Sequence, residues 1–350
     1  MDNQRTLSYA EALREATEQE MEHDASVIVF GLDVDDPKAI QGTTRGLLQK
    51  FGPQRVFGTP LSEDAMTGVA IGMALAGLRP IHVHIRMDFM MLAMNQIINV
   101  AAKSHYMYGG QVHLPVVFRG MVGKSWGQGA QHSQSLYSLF AHIPGLKVVA
   151  PSTPYDAKGC LVQAVRDNNP VIYVEHRLLH FQKGPVPQEL YTVAPGKARI
   201  TAPGKDITLV GISYMQAECL RAHHYLQEAG IQAEVIDPIW LSPLDAETIA
   251  TSVEKTGRLL VVDNDWESCG ISAEIITRVA ILLQGKRDFR VERMGFASTA
   301  CPPSPTLEAL FYPNGCIIAS KAYEMILGKS DGWVPQGHID PMEIQFRGPF

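Results

Sequence analysis

Cysteine is scarce in this sequence, and its distribution excludes two classes of protein. The 350 residues contain five cysteines, an odd number, and no two of them form a C-x-x-C pair. A small disulfide scaffold needs paired cysteines, and a zinc site needs closely spaced ones. We therefore expect buried, reduced thiols in a cytoplasmic protein; the positions are Cys160, Cys219, Cys269, Cys301 and Cys316.

Long apolar runs and excess positive charge are also missing. The longest apolar candidate, 69–78, is about half of the ~18 residues that a membrane span requires. The polar start of the chain, 1–8, lacks the apolar run of a signal peptide. A net charge of −6 does not favour binding to a polyanion such as a nucleic acid. These features exclude membrane and nucleic-acid partners from the prediction.

Nucleotide-binding glycine motifs are absent as well. The sequence has no G-x-x-x-x-G-K-[ST] motif and no G-x-G-x-x-G between a strand and a helix. Gly123 and Gly129 lie in a glycine-rich loop whose spacing matches neither motif. A dinucleotide-dependent dehydrogenase of the Rossmann type is therefore disfavoured.

Helix and strand signals alternate along most of the chain. Ser8 and Glu11 form an S-x-x-E capping box before a predicted helix at 10–22, and a continuous apolar strand follows at 27–30. Such buried strands between helices are typical of parallel sheets covered on both faces. The predicted fold class is α/β with two mostly parallel-sheet domains. The predicted divisions are a first domain at 1–180, a proline-rich linker at 181–205, a second domain at 206–328 and a C-terminal arm at 329–350.

Small residues recur every four positions on the helix predicted after Ser62. Gly68, Gly72 and Ala76 would share one face and allow another helix backbone to approach closely. Packing inside the chain and a helix crossing at a subunit interface both explain this stripe.

The segment 59–64, T-P-L-S-E-D, has two interpretations. In the first, Ser62 caps a helix while Glu63 and Asp64 complement its dipole. In the second, the carboxylates act in catalysis. The residues by themselves favour the first interpretation.

Ordered sequence blocks favour the second interpretation. The sequence resembles the beta subunits of pyruvate and branched-chain 2-oxoacid dehydrogenases over roughly residues 6 to 328. The resemblance implies a transketolase-like pyrimidine-binding domain followed by a transketolase C-terminal domain. The blocks are R-V-F-G-T-P-L-S-E (55–63), G-L-R-P (77–80), N-Q-I-I-N (95–99), V-F-R-G (117–120), Q-H-S-Q (131–134), P-G-L-K-V-V (144–149) and R-D-N-N-P-V (166–171).

Partners and cofactors follow from this resemblance. The cofactor in the family is thiamine diphosphate, whose diphosphate and magnesium are held by an alpha subunit with a G-D-G motif. No G-D-G occurs here, so the chain is expected to work only with such an alpha partner. The resemblance also implies a second beta subunit, giving a heterotetramer of two alpha and two beta chains, and a lipoyl acyltransferase as a further candidate partner.

Three residues match family positions that bind the aminopyrimidine ring. Glu63 matches the glutamate that hydrogen-bonds N1′, where a carboxylate must exchange a proton to form the reactive tautomer. Closing a site between subunits removes water from such a carboxylate and favours a shared proton. Phe89 matches an aromatic residue that packs on the ring, with core packing as its alternative, and Leu61 matches a further cofactor contact.

His132 matches a histidine at the substrate end of the cofactor. An imidazole there can hydrogen-bond the substrate and move protons near neutral pH. A structural role is the alternative, and it would also suit the nearby His142.

The resemblance further implies a structural potassium ion. Some family members bind it largely through backbone carbonyls, which suit a hard monovalent cation. A helix ending before N-N-P (168–170) explains the same segment without an ion. The matching positions are Val116, Ala164, Val165, Asp167 and Asn169.

Several positions depart from the family pattern. The run H-V-H-I-R-M-D (82–88) replaces the usual one, and Asn95 stands where an aspartate is common. His82 and His84 would share one strand face, which suits a metal site or, more simply, a solvated or interface face. Arg86 and K-S-W (124–126) hint at an anionic or unusual substrate.

The leading hypothesis is therefore a beta subunit that takes part in oxidative decarboxylation of a 2-oxoacid, with the acyl group passing to a lipoyl or other acceptor. A split transketolase subunit that transfers ketol units uses the same carbanion chemistry and is one alternative. A non-catalytic scaffold subunit is another. The sequence leaves open the donor, the acceptor, the identity of the alpha partner and the role of the C-terminal arm.

Overall fold

The chain forms two compact units, seen in a computed structural model that describes residues 5–36, 40–124, 127–328 and 332–335. The first unit comprises the described residues up to Lys124 and those from His132 to Ala194. The second comprises Gly127 to Gln131 and the described residues from Pro195 onward. Most of the predicted C-terminal arm, together with Ser125 and Trp126, lies outside the described residues.

The first unit is built on a parallel sheet. Its strands lie in the order β6-β7-β5-β4-β2-β3 with every neighbouring pair parallel, while β1 and β8 pair antiparallel beside it. Buried residues occupy almost every strand position, as expected for a sheet covered on both faces. The strands are β1 (Thr6–Ser8), β2 (Val27–Gly31), β3 (Val56–Gly58), β4 (Arg79–His84), β5 (Val117–Val122), β6 (Lys147–Val149), β7 (Val171–His176) and β8 (Lys183–Pro185).

Two long helices of this unit begin at a side-chain cap. Ser8 Oγ accepts from the Glu11 N–H at 3.2 Å, and the Ser8 N–H donates to Glu11 Oε2 at 2.7 Å, which confirms the capping box. Thr153 caps the last long helix through the N–H of Asp156. The helices are α1 (Tyr9–His23), α2 (Leu47–Phe51), α3 (Glu63–Leu75), α4 (Met87–Met90), α5 (Ala102–Met107), α6 (Tyr137–Ala141) and α7 (Pro154–Arg166), with 3-10 turns at Ile40–Gly42 and Arg177–Phe181.

The apolar sequence from Asp88 to about Ser104 predicts one continuous helix, and that prediction is wrong. The segment is divided into α4, a 3-10 turn at Met91–Ala93, a π-helical stretch at Asn95–Ala101 and α5. The continuous apolar run F-M-M-L-A-M (89–94) gives no sequence signal for the points where one helical form changes to another. Wider helical turns of this kind are frequent at functional sites.

The second unit is also α/β, which confirms the predicted fold class. Its five-stranded sheet has the order β14-β13-β10-β11-β9, parallel except for the edge strand β9. The strands are β9 (Arg199–Ala202), β10 (Ile207–Gly211), β11 (Ala233–Asp237), β12 (Trp240–Ser242), β13 (Arg258–Trp266) and β14 (Arg290–Phe296). The helices are α8 (Tyr214–Glu228), α9 (Ala246–Thr256), α10 (Ile271–Leu283), α11 (Pro305–Glu308) and α12 (Gly315–Leu327).

The cysteines are all free, and three of them are buried. The prediction of buried thiols is wrong for Cys269, which is exposed, and for Cys316, which is half-buried. Among the helices that the structure describes, none is long and apolar enough to cross a membrane.

Candidate active site

The carboxyl edge of the first sheet carries the residues predicted to act. Strands β2 to β5 are mutually parallel, so their carboxyl ends lie at one edge. Glu63 follows β3, Phe89 follows β4 and His132 follows β5. Crevices at this edge of parallel sheets are the usual ligand sites of α/β proteins.

Glu63 is the first residue of α3 and is half-buried. Ser62 occupies the N-cap position, as the first interpretation expects, but its side chain makes no hydrogen bond to the helix. Glu63 and Asp64 both lie in the first turn, where negative charge suits the helix dipole. No described residue donates a hydrogen bond to the Glu63 carboxylate, which leaves its oxygens available to a ligand.

Two apolar side chains of the predicted site are accessible. Leu61 is 75% exposed, and Phe89 is half-buried. The rings of Phe89 and His132 meet edge to face, with centroids 5.2 Å apart and planes inclined by 84°. The structure therefore brings together Phe89 and His132, residues from two different strand ends.

The loop of His132 is anchored by residues that sequence reasoning had given no role. Arg177 Nη2 donates to the His132 carbonyl at 2.9 Å. Asp88 Oδ1 accepts from the backbone N–H of Gln134 at 3.2 Å and from its Nε2 at 2.9 Å. In the sequence, Asp88 belongs to the run 82–88 that departs from the family pattern, and no other feature points to its role. Nothing in the sequence points to Arg177.

Four buried polar atoms near this loop have no hydrogen-bond partner among the described residues. They are His84 Nε2, Arg86 Nε, Asp88 Oδ2 and Ser133 Oγ. These four residues are between 2% and 8% exposed. Most buried polar groups are paired, so a concentration of unpaired ones at a strand end indicates a missing ligand or ordered water.

Burial moves the ionisation of these groups towards their neutral forms. It raises the pKa of Asp88, against hydrogen bonds from Gln134 and the nearby Arg177 charge. It lowers the pKa of Arg86 and brings the pKa of His84 down to about 4. His84 is therefore neutral at pH 7.

His82 and His84 do share one strand face, but that face is not solvated. They are 2% and 4% exposed, and their ring centroids lie 4.2 Å apart. Phe30 stacks on His82 at 4.7 Å, and burial with the neighbouring His84 holds the pKa of His82 well below its usual value. The prediction of a solvated or interface face is wrong. Within the described residues, no group of three potential metal ligands occurs, so the pair lacks further ligands.

A buried ionic network lies behind the site between β5 and β7. Arg119 Nε and Nη2 donate to the two Glu175 oxygens at 2.6 and 3.0 Å, and both side chains are 0% exposed. His180 Nε2 lies 3.3 Å from Glu175 Oε2, and Thr43 accepts from Arg119. Burial alone would raise the pKa of Glu175, but the Arg119 charge and hydrogen bonds from His180 and Arg119 bring it to about 2.

The carbonyls matched to a potassium site already accept protein hydrogen bonds. Arg79 Nη1 donates to Val165 O at 2.9 Å and to Asp167 O at 3.1 Å. The carbonyl of Val116 accepts from Val171, and that of Ala164 accepts from Asp167. A carbonyl oxygen has two lone pairs, so each could still ligate an ion. The potassium site stays a prediction.

Two family models match the chain in sequence. The transketolase pyrimidine-binding domain matches residues 5–181, and the transketolase C-terminal domain matches residues 196–318. A solved "split gene transketolase, inactive beta4 tetramer" superposes with a TM-score of 0.71 at 21% identity, covering 92% of this chain and 98% of that one. At that identity the likeness concerns the fold.

Curated relatives are similar over nearly the whole chain. The acetoin:2,6-dichlorophenolindophenol oxidoreductase subunit beta of Cupriavidus necator is 45% identical, covering 93% of this chain and 98% of the relative. Its namesake from Bacillus subtilis is 40% identical, covering 92% and 98%. The pyruvate dehydrogenase E1 component subunit beta of Rickettsia conorii is 40% identical, covering 88% and 94%.

Proposed function

The chain belongs to the transketolase-like family of thiamine-diphosphate-dependent 2-oxoacid dehydrogenase beta subunits, and on that premise we propose that it supplies half of an active site that cleaves a 2-oxo donor and hands the acyl group to an acceptor. One observation carries the proposal: the Glu63 carboxylate is half-buried at the start of α3 and has no hydrogen-bond or ion-pair partner among the described residues.

The residues present fit one end of the cofactor. Glu63 offers an unpaired carboxylate to a ring nitrogen, while Leu61 and Phe89 offer accessible apolar surface to a flat ring. Thiamine diphosphate, when bound, supplies a nucleophilic carbon that adds to the donor carbonyl. No G-D-G motif for the diphosphate and its magnesium occurs in the chain.

Two side chains then have distinct tasks. Glu63 holds a proton between its Oε atom and the ring nitrogen it faces, and so sets the tautomer of the aminopyrimidine. His132 faces the donor, where its imidazole donates a hydrogen bond or moves a proton. The edge-on contact with Phe89 and the hydrogen bond from Arg177 to the His132 carbonyl fix the position of the imidazole.

The partners follow from what the chain lacks and exposes. An alpha subunit with the G-D-G motif would complete the cofactor site and hold magnesium. A second beta subunit would cover the α3 face, where a Cβ added to Gly72 meets no atom within 4 Å and Leu75 is 57% exposed. Together these chains form the predicted heterotetramer, and a lipoyl acyltransferase would take the acyl group.

Two donor classes are candidates. A 2-oxoacid is the first and agrees with the pyruvate dehydrogenase relatives. An α-hydroxyketone is the second, favoured by the names of the Cupriavidus necator and Bacillus subtilis relatives, which are acetoin oxidoreductase subunits. Either donor leaves an aldehyde-level fragment, which a lipoyl group or, in the assay, a dye would oxidise by two electrons to the acyl level.

Reconstitution with an alpha subunit tests this function. We expect thiamine-diphosphate-dependent reduction of 2,6-dichlorophenolindophenol with pyruvate or acetoin, and none from either subunit alone. Xylulose 5-phosphate serves as the ketol donor for transketolase activity. Turnover of sugar phosphates alone would replace the proposed function by the split transketolase.

The isolated chain is expected to bind thiamine diphosphate weakly. It offers the ring end of the site without a diphosphate clamp, and the clamp contributes charge-assisted contacts worth several kcal/mol in total. We expect calorimetric titration to give a dissociation constant for thiamine diphosphate that is at least about 100-fold larger than that of the reconstituted complex. Tight magnesium-dependent binding by the chain alone would contradict the shared site.

A further inference from the structure

The unpaired polar atoms beside His132 bear on the donor class. Asp88 lies next to Phe89, and its Oδ1 is fixed by two hydrogen bonds from Gln134, two residues after His132. Its Oδ2 is buried and has no partner among the described residues. Asp88 as a whole is 7% exposed, so this oxygen is not turned towards bulk water. The carboxylate is therefore held in place with one oxygen free for a ligand.

A donor with an apolar side chain would leave two buried polar atoms beside His132 without a hydrogen-bond partner. The methyl or branched alkyl group of a simple 2-oxoacid offers no hydrogen bond to Asp88 Oδ2 or to Ser133 Oγ, which is also buried and unpaired. A buried polar group left without a partner loses the hydrogen bonds that it made to water and is unfavourable. A donor that carries a hydroxyl group removes this cost, because a hydroxyl both donates and accepts.

We propose that Asp88 Oδ2 receives the hydroxyl group of an α-hydroxyketone donor and takes its proton during carbon–carbon cleavage. This inference rests on the proposed function, since it places the donor between Asp88 and the cofactor ring that Glu63 and Phe89 hold. It favours an α-hydroxyketone over a 2-oxoacid as the donor.

The step balances in atoms and electrons. The hydroxyl O–H bond breaks and its proton moves to Asp88 Oδ2, while the O–H electron pair forms the second bond of an aldehyde C=O. The bond between the carbinol carbon and the former carbonyl carbon breaks, and thiamine diphosphate, when bound, would supply the electron sink for its electron pair. The aldehyde leaves, and the dye or lipoyl acceptor of the proposed function then takes two electrons from the retained fragment.

The surrounding residues suit this role. Burial raises the pKa of Asp88, which makes its carboxylate a stronger base, while the hydrogen bonds from Gln134 and the Arg177 charge act against that rise. Arg86 also interacts electrostatically with Asp88, and it makes no ion pair among the described residues, so no other carboxylate neutralises its charge. Gln134 holds Oδ1 and thereby directs Oδ2.

The first experiment separates proton transfer from binding. In the reconstituted complex, Asp88→Asn keeps the shape and the contacts to Gln134 but cannot take a proton. We expect kcat with acetoin to fall by about 100-fold or more, with KM changed only a few-fold, because a positioned base contributes 10²–10⁴-fold. The ratio of kcat/KM for acetoin to that for pyruvate should fall by a similar factor.

The second experiment measures binding without turnover. Butane-2,3-diol carries the hydroxyl group but no carbonyl, so it cannot react, and saturation-transfer difference NMR detects such weak ligands. We expect a signal with the wild-type complex that is lost with Asp88→Leu. Asp288→Asn is the matched control, since Asp288 is an exposed carboxylate of the second unit that makes no hydrogen bond or ion pair within the part of the chain that the structure describes. Both signal and turnover should be kept.

The outcomes distinguish this inference from the proposed function. Turnover of pyruvate without turnover of acetoin, or an unchanged donor ratio in Asp88→Asn, overturns the role of Asp88 and leaves the proposed function intact. An equal diol signal in wild type and Asp88→Leu also overturns it, since the oxygen then holds only water. Turnover of neither donor overturns the proposed function and the inference with it.

Discussion

Glu63→Gln is expected to lower kcat of the reconstituted complex by about 10²–10⁴-fold, whichever donor is used. Glutamine keeps the length and the hydrogen-bonding shape of the side chain but cannot hold or give the proton that sets the aminopyrimidine tautomer. Because Glu63 is only half-buried and has no protein partner among the described residues, its replacement should leave the free energy of unfolding within about 0.5 kcal/mol of wild type.

Asp64→Asn is the matched control for this experiment. Asp64 is the next carboxylate of the same first helical turn and is exposed. It contributes the same charge to the helix dipole without facing the proposed ring. Turnover should stay within about two-fold of wild type, on the scale of a surface charge change. Undiminished turnover in Glu63→Gln would contradict the catalytic role of Glu63 and favour the non-catalytic scaffold hypothesis.

Glu175→Ala is expected to destabilise the chain by about 3–5 kcal/mol, because it leaves the Arg119 charge fully buried without its partner. Urea unfolding of the full chain, followed by circular dichroism, measures the change. The double variant Arg119→Met with Glu175→Leu removes both charges and should recover a large part of the loss. A double variant no more stable than Glu175→Ala would contradict the account of an uncompensated charge.

The same pair predicts how stability depends on pH. The folded pKa of Glu175 is about 2, below the value of 4.5 for an unperturbed glutamate. Its stabilising contribution is therefore complete above about pH 4.5 and is lost as the pH falls towards 2. His84, with a folded pKa of about 4 against 6.5, adds a loss that begins at higher pH, between about 6.5 and 4. Glu175→Gln should remove the lower part of this acid transition.

Local sequence patterns were sufficient for most of the secondary structure. The capping box at Ser8 and Glu11 and the apolar strands of both sheets depend on residues close together in the chain, so their pattern is visible in one dimension. The irregular segment after Asp88 could not be predicted in this way, because a π-helical stretch has the same apolar composition as an ordinary helix.

The sequence by itself determined the family, the α/β class and the position of Glu63, which is marked by ordered motif blocks. Only the tertiary structure decided that Arg119 pairs with Glu175, 56 positions away, because β5 and β7 are neighbours and their register places both on one face. It alone likewise placed Asp88 of α4 against the loop of His132, with one carboxylate oxygen unpaired among the described residues. Which charges meet, and which stay unpaired, depends on strand order and burial, and neither is a local property of the chain.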